Sequence, residues 1–304
     1  MKVQLILVAI VLLGIMLNPI WAGSIPSPLQ GVTIPLRITR DQSTGVFTYQ
    51  YQVVNPEQND GQIFHVDIDI SRGPQDIILS REGLVNGPRY MGHSSEDAFQ
   101  RVPMVPVGIS GPEGWTSSLG FDDQVPPHGF AGWGSMDEPF LLVPGQTQAG
   151  FQLTSDGLPG IRTARILPDI DWDNVPEEYA DPEKARQLRD SLIFSPKTVG
   201  PKARPQRFIP IEFLNYIISL LHDSRQLGWI KVDGVHQSLL AKLLQAKRAL
   251  EKGQTGVAKN TLSAFLNQVQ AISCPEFACP GNKPLTSEAY ALLFFNGQFL
   301  MERL

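Results

Sequence analysis

The sequence has few of the side chains on which most catalytic and metal sites depend. Only 2 cysteines and 5 histidines occur in 304 residues, and the histidines show no paired metal-ligand spacing. There is no glycine-rich phosphate loop, and the segment around Ser94 has Glu96 where a nucleophile elbow requires its last glycine. We therefore favour a protein without catalytic residues, and the sequence leaves enzyme activity open.

Positive charge and long apolar runs are also scarce. The formal net charge is −5, which argues against nucleic acid as a partner. One uncharged run, Leu5–Leu17, follows Lys2 and precedes Pro19 and Ala22, which is typical of a signal peptide over residues 1–22. The run is shorter than the roughly 20 residues of a spanning helix. We predict a secreted or periplasmic protein with no membrane span beyond the signal segment, which is either cleaved or kept as an anchor.

Proline and charge divide the remaining chain into two unlike parts. Of the 25 prolines, 22 lie at or before Pro210, and none lies between Ile211 and Cys274. Residues 23–207 carry 15 Lys and Arg against 23 Asp and Glu, whereas residues 208–304 carry 9 against 7. Because proline interrupts helices, the first part is expected to hold strands and the second helices.

The first part shows the alternation of half-buried strands. Apolar and aromatic residues occupy every second position from Val46 to Val54 and again from Phe64 to Ile70, and the turn-rich segment between them predicts a hairpin. Six further short strand candidates are 33–39, 76–80, 104–109, 140–143, 148–154 and 161–167. About eight strands without helical periodicity predict an antiparallel β-sandwich over residues 23–167.

The second part shows helical periodicity after a connecting segment. Residues 168–207 are acidic first and proline-rich later, which predicts a solvated linker with one short helix over 182–192. Three apolar stripes at helical spacing follow within residues 208–304, and a fourth helix is expected after Thr286 as N-cap, so this part predicts a helical bundle. The predicted fold class is therefore β + α multidomain, an antiparallel β-sandwich followed by a four-helix bundle, with two separate hydrophobic cores. The final helix is apolar nearly all round, so its phenylalanines are expected to face the sandwich or a partner.

Four motifs in the last third of the chain carry a resemblance to a known module. They are Gly228-Trp229-Ile230, Ser238–Leu243, Ala246–Gly253 and Ala264–Ala271. In this order they resemble the FIMAH-type helical module at the C-terminal ends of secreted bacterial proteins. The resemblance implies an accessory role beside other modules and brings no catalytic residues. The preceding half is similar, more distantly, to uncharacterised secreted β-sandwich modules.

The two cysteines provide the clearest local chemistry. Cys274 and Cys279 form a Cys-x4-Cys pair, where FIMAH-like modules have a short polar turn. In an exported protein such a pair is expected to close a disulfide that fixes the entry to the last helix. Redox catalysis and zinc binding are the lesser alternatives, because neither a Cys-x-x-Cys spacing nor a nearby histidine is present.

Two further groups are candidate ligand sites. Asp169, Asp171 and Asp173 match the first ligand positions of a calcium loop, but the later glycine and glutamate are missing, so no cofactor is expected and Ca²⁺ is kept only as an alternative to a solvated acidic segment. Trp115 and Trp133, with Trp172, are candidates for stacking on sugar rings, with core packing as the alternative.

The function predicted from these features is non-catalytic binding or scaffolding in the bacterial envelope or exterior. The partner is an unidentified protein or glycan outside the cell. The alternative function is that of a polysaccharide-binding accessory protein, or an enzyme, acting on cell-surface glycans through the tryptophan-bearing sandwich.

Overall fold

A computed structural model describes residues 25–72, 108–122, 128–277 and 283–304. In these ranges the protein is a mixed β and α structure of nine strands, arranged in two antiparallel sheets, and five α-helices. The predicted signal peptide, the segment around Ser94 and the strand candidate 76–80 lie outside the described residues. Within the described ranges, every helix is too short or too polar to traverse a lipid bilayer.

The first sheet has the strand order β1-β2-β7-β4. Its strands are β1 Leu36–Arg40, β2 Phe47–Val54, β4 Gly108–Ser110 and β7 Thr147–Ser155. Strand β2 confirms the alternation seen in the sequence, because Phe47, Tyr49, Tyr51 and Val53 are all buried while the residues between them are only partly covered.

The second sheet has the strand order β5-β6-β3-β8-β9. Its strands are β3 Ile63–Arg72, β5 Thr116–Asp122, β6 His128–Gly134, β8 Leu158–Pro168 and β9 Lys197–Lys202. The predicted hairpin of β2 and β3 is wrong, because β2 pairs with β1 and β7 whereas β3 pairs with β6 and β8. Residues 55–62 therefore carry the chain from one sheet to the other.

Three segments differ from the predicted strand pattern. The candidate 140–143 ends a short 3₁₀ turn and makes only one isolated bridge, Leu142 to Ile63. Strands β5 and β6 were missed because glycine and serine fill many of their positions and conceal the alternation. Strand β9 lies in the predicted linker, where Thr198 and Val199 are fully buried, so this part of 168–207 belongs to a sheet.

Five helices follow the same order along the chain as the predicted ones. They are α1 Pro182–Leu192, α2 Pro210–Gln226, α3 Asp233–Glu251, α4 Thr255–Ile272 and α5 Ser287–Arg303. The short helix predicted in the connecting segment is confirmed as α1, with Asp181 accepting hydrogen bonds from the backbone N–H groups of Glu183 and Lys184. Counting α1, the described chain has five helices rather than the four of the predicted bundle.

The hydrophobic core is continuous from the sheets into the helices. Helix α5 links them: the ring of Phe295 packs edge-on against Phe47 of β2 at 5.3 Å, and the buried amide of Asn296 donates a 2.8 Å hydrogen bond to the carbonyl of Pro159 in β8. The expectation of two separate cores is therefore wrong. The nearly all-round apolar character of α5 is explained by contacts on both sides, because it touches α2 and α4 as well as β1, β8 and β9.

A second, smaller apolar cluster lies apart from this core. Ile170, Leu188 and Leu192 are buried together, with Val175 and Tyr179 partly covered beside them. The cluster fastens α1 and the acidic segment to the end of β8. With only three buried side chains, it contributes far less apolar burial than the main core.

Candidate binding cleft

The structure places both predicted sugar-stacking tryptophans inside the protein. Trp133 is fully buried and donates its indole N–H to the carbonyl of Ser110 at 2.7 Å, and Trp115 is 6% exposed and donates to the carbonyl of Phe140 at 3.1 Å. Both rings pack edge-on against Phe151 of β7. Their faces are occupied by the core, so the predicted platform of Trp115 and Trp133 is wrong. Trp172 is 46% exposed on a 3₁₀ turn.

The three candidate calcium ligands do not converge. Asp169, Asp171 and Asp173 are exposed, and Asp171 instead accepts a 2.7 Å hydrogen bond from the amide of Asn174. Among the described residues, no three acidic, histidine or cysteine side chains are grouped as a metal site requires. Partial burial, and then the nearby carboxylates of Asp171 and Glu138, raise the pKa of Asp169, so this end of the molecule concentrates negative charge.

The predicted disulfide falls partly outside the described chain. Cys274 is 5% exposed, with its Sγ 3.6 Å from the carbonyl oxygen of Glu276, just after helix α4. Cys279 lies outside the described residues. The disulfide between them stays a prediction.

Two histidine contacts were not predicted from spacing. His65 Nε2 lies 2.8 Å from a carboxylate oxygen of the buried Asp67 on β3, and the β6 backbone is so close that a Cβ at Gly132 would clash with that oxygen. His222 and His236 meet between α2 and α3 with ring nitrogens 3.1 Å apart. Their sequence separations of 2 and 14 residues are not metal-binding signatures, and only the pairing of the elements brings them together.

A cleft with a cavity volume of about 490 Å³ opens where the second sheet meets the helices. Its floor is formed by the start of β8 and the end of β9, which pair Leu158 with Lys202. Its other wall is the first two turns of α2. The lining residues are Leu158, Lys202, Ala203, Arg204, Pro205, Gln206, Arg207, Ile209, Glu212, Phe213 and Tyr216.

Three basic side chains line this cleft against one acidic side chain, Glu212. The ammonium of Lys202 stands 4.5 Å above the ring of Tyr216, and Arg204 is held by donating to the carbonyls of Asp156 and Gly45 at 2.7 and 3.2 Å. Arg207 is exposed at the rim. Contacts with an aromatic ring and with backbone carbonyls therefore position two of the three cations at the cleft.

The helix end and a neighbouring arginine add to this positive field. Helix α2 begins at the cleft, because its N-cap Ile209 and the first-turn residue Glu212 both line it, and Ile209 has no side-chain oxygen to cap the first N–H groups. Burial lowers the pKa of the nearby Arg303 guanidinium, Arg204 and Arg40 lower it further, and Glu302 acts in the opposite direction.

Sequence reasoning missed this cleft because its residues were assigned to a linker. The signal was nonetheless present: residues 197–207 contain four basic residues and no acidic one, inside a protein of net charge −5. The sequence does not reveal that β9 pairs with β8, and this pairing places the basic residues along one wall of a cavity.

Comparisons with known proteins do not identify a family. No family model matches the chain, and no curated protein matches it. Among solved structures, a chain of a type VI secretion system TssK-TssF-TssG baseplate subcomplex aligns over 89% of this chain and 87% of its own length, at 12% identity and a TM-score of 0.17. So low a score leaves the cleft as the basis for a functional interpretation.

Proposed function

We propose that this protein is a non-catalytic binding protein that holds an anionic ligand in the cleft between β8, β9 and α2. The observation that carries this proposal is the excess of positive charge around a cavity of about 490 Å³, a size within the usual range of small-ligand pockets. Arg204 and Arg207 offer planar donors suited to carboxylates and phosphates. Tyr216, which is only partly buried, offers aromatic surface for the rest of the ligand.

The setting of this function is also proposed. We place the protein outside the cytoplasm, on the basis of the predicted signal peptide, with the Cys274–Cys279 disulfide closed there. In this proposal the two sheets form a β-sandwich domain and the last four helices form a FIMAH-like bundle with an accessory role. The close packing of α5 on the sheets supports a scaffold whose two parts act together.

The alternative of glycan binding now depends on the cleft. With Trp115 and Trp133 buried, a neutral sugar has lost its predicted platform. An acidic sugar shares the chemistry that the cleft recognises, a carboxylate beside an apolar ring face. Acidic glycans and acidic peptides are therefore two sources of one ligand chemistry.

The test is isothermal titration calorimetry of the purified protein with trigalacturonate, triaspartate and, as a neutral sugar, maltotriose. We expect binding of at least one acidic probe, weaker in 300 mM than in 50 mM NaCl because the contacts are charged, and no binding of maltotriose. Arg207→Gln is expected to weaken binding at least tenfold, since a hydrogen bond to a charged group contributes about 1.5–3 kcal/mol.

Arg248→Gln provides the matched control. Arg248 is an exposed arginine on α3 that does not line the cleft, so its loss changes the net charge equally without touching the site. Equal binding by Arg207→Gln and Arg248→Gln, or no binding of either acidic probe, would overturn the proposal.

A further inference from the structure

The end of the molecule opposite the cleft has the reverse charge. Residues 169–181 contain six carboxylates and no basic residue, and Glu138 lies close enough to influence the pKa of Asp169. Trp172 projects from this segment with 46% of its surface exposed, between the exposed Asp171 and Asp173. We call residues 169–181 the acidic end.

Strand β8 separates the acidic end from the cleft. Leu158, its first residue, lines the cleft, and Pro168, its last, directly precedes Asp169. An 11-residue strand spans about 33 Å at roughly 3.3 Å per residue. Strand β8 pairs with β9 over its first half and with β3 over its second half, so the sheet holds the acidic end of a molecule away from its own cleft.

We propose that the acidic end of one copy of this protein docks in the cleft of a second copy. The two surfaces are complementary: carboxylates at Asp171 and Asp173 face guanidinium donors, and the Trp172 ring meets the partly buried Tyr216 and the basic side chains. The inference rests on the proposed function, because it names the ligand of the same cleft as an acidic, tryptophan-bearing segment of the same chain.

The two surfaces are different patches of one molecule, so the contact is head to tail. Such a heterologous contact leaves an open cleft at one terminus and an open acidic end at the other, and it extends into chains or closes into rings. A chain of copies joined in this way is the kind of structure expected of an extracellular scaffold. Assembly by charged groups near the surface is also expected to weaken with salt.

Sedimentation velocity of the purified full chain tests this inference. We expect the weight-average sedimentation coefficient to rise with protein concentration in 50 mM NaCl and to return to the monomer value in 500 mM NaCl. The acidic-end variant Trp172→Ala/Asp173→Asn and the cleft variant Arg207→Glu are each expected to weaken association at least tenfold. The control Val257→Ala/Glu251→Gln removes an equally exposed apolar side chain and a carboxylate from the helices, and we expect it to associate like the unaltered protein.

Mixing the two variants gives the sharpest result. The cleft variant keeps its acidic end and the acidic-end variant keeps its cleft, so an equimolar mixture should form one-to-one dimers that do not extend. Far-ultraviolet circular dichroism and thermal unfolding check that each variant is folded. Dimers in the mixture, with monomers in each variant alone, are the expected outcome.

Failure of this inference is distinguishable from failure of the proposed function. If the protein is monomeric at every concentration and salt, or if the mixture gives no dimer, self-docking is overturned. Triaspartate or trigalacturonate binding that depends on Arg207 would in that case leave the anion-binding function standing. A chain that neither associates nor binds an acidic probe contradicts both.

Discussion

The two ends of strand β8 differ in charge and in the way they are supported. At its start, the cleft rests on the main core, where α5 packs against the sheets and Asn296 donates to Pro159. At its end, the acidic segment packs on the second, smaller apolar cluster, which has three buried side chains. The comparison teaches that one paired strand fixes the distance between a basic and an acidic surface, although the two surfaces are expected to have very different local stabilities.

A substitution in the main core should cause the largest loss of stability. Phe295→Ala removes a buried ring that contacts Phe47, and we expect the free energy of unfolding to fall by about 3–5 kcal/mol, as for other buried Phe→Ala changes. Phe294→Ala, on the same helix and only partly buried, is the matched control and should cost clearly less. Urea unfolding followed by circular dichroism measures both, and equal losses would contradict the role of Phe295 as the link.

A substitution of a buried residue beside the acidic end should cause local unfolding of that segment. Leu188→Ala removes one of three side chains in the smaller apolar cluster, and we expect a cost of about 2 kcal/mol, at the low end of buried Leu→Ala changes. Hydrogen exchange should become faster in residues 169–192 and stay unchanged in α5. Faster exchange throughout the chain would mean that the two ends do not differ as described.

The elements that the sequence predicts well are those decided by local pattern. The alternation in β2, the start of α1 at Pro182 and the apolar stripes of α3 and α4 are each decided within one segment. In β3 the predicted alternation is wrong, because Asp67 and Asp69, expected on the exposed face, are buried. Strand β9 was missed because Pro201 and Gly200 are typical of turns, and its burial comes only from pairing with β8 at the edge of the sheet. The alternation within a strand does not determine which sheet the strand joins, and for that reason the predicted hairpin of β2 and β3 was wrong.

The candidate site was less predictable than the fold. Exposed and buried tryptophans look alike in a sequence, and the structure shows that Trp115 and Trp133 complete the core between the sheets while Trp172 is exposed. The cleft combines β8, β9 and α2, which meet only in the folded chain. Its basic run was visible, but its function depends on the cavity beside it.

The stability of the protein should depend on pH through a histidine of the helical part, His236, and not through either end of β8. Burial, and then the neighbouring His222 and Arg225, lower the pKa of His236, while Asp233 acts in the opposite direction. The His236 imidazole is protonated near pH 6.5 in the unfolded chain and only at lower pH in the folded chain. Its contribution to the free energy of unfolding should therefore be fully present above pH 6.5 and be lost as the pH falls through the lowered folded-state pKa.

Comparing urea unfolding of the unaltered protein and of His236→Gln between pH 7.5 and pH 5 checks this sign. The variant should lose less stability over that interval. An equal pH dependence in both proteins would show that His236 is not its source.

The smallest effect is expected at the exposed ion pair that ties β1 to α5. Arg40 and Glu302 form two hydrogen bonds, at 2.6 and 3.2 Å, on the side where α5 meets the sheets. Because Glu302 is 43% exposed, Glu302→Gln should cost only about 0.2–1 kcal/mol and less in high salt. A loss as large as that of Phe295→Ala would mean that charge rather than apolar packing holds the helix on the sheets.

Hydrogen exchange with mass spectrometry, with and without saturating triaspartate, tests the central claim most directly. The claim is that the basic end of β8 is a ligand site, so protection should appear in peptides that cover residues 202–216, around the end of β9 and the first turns of α2. Peptides covering 169–181 should be unprotected by the acidic probe, because like charges repel. Protection at the acidic end, or saturation with no change at 202–216, would contradict the account.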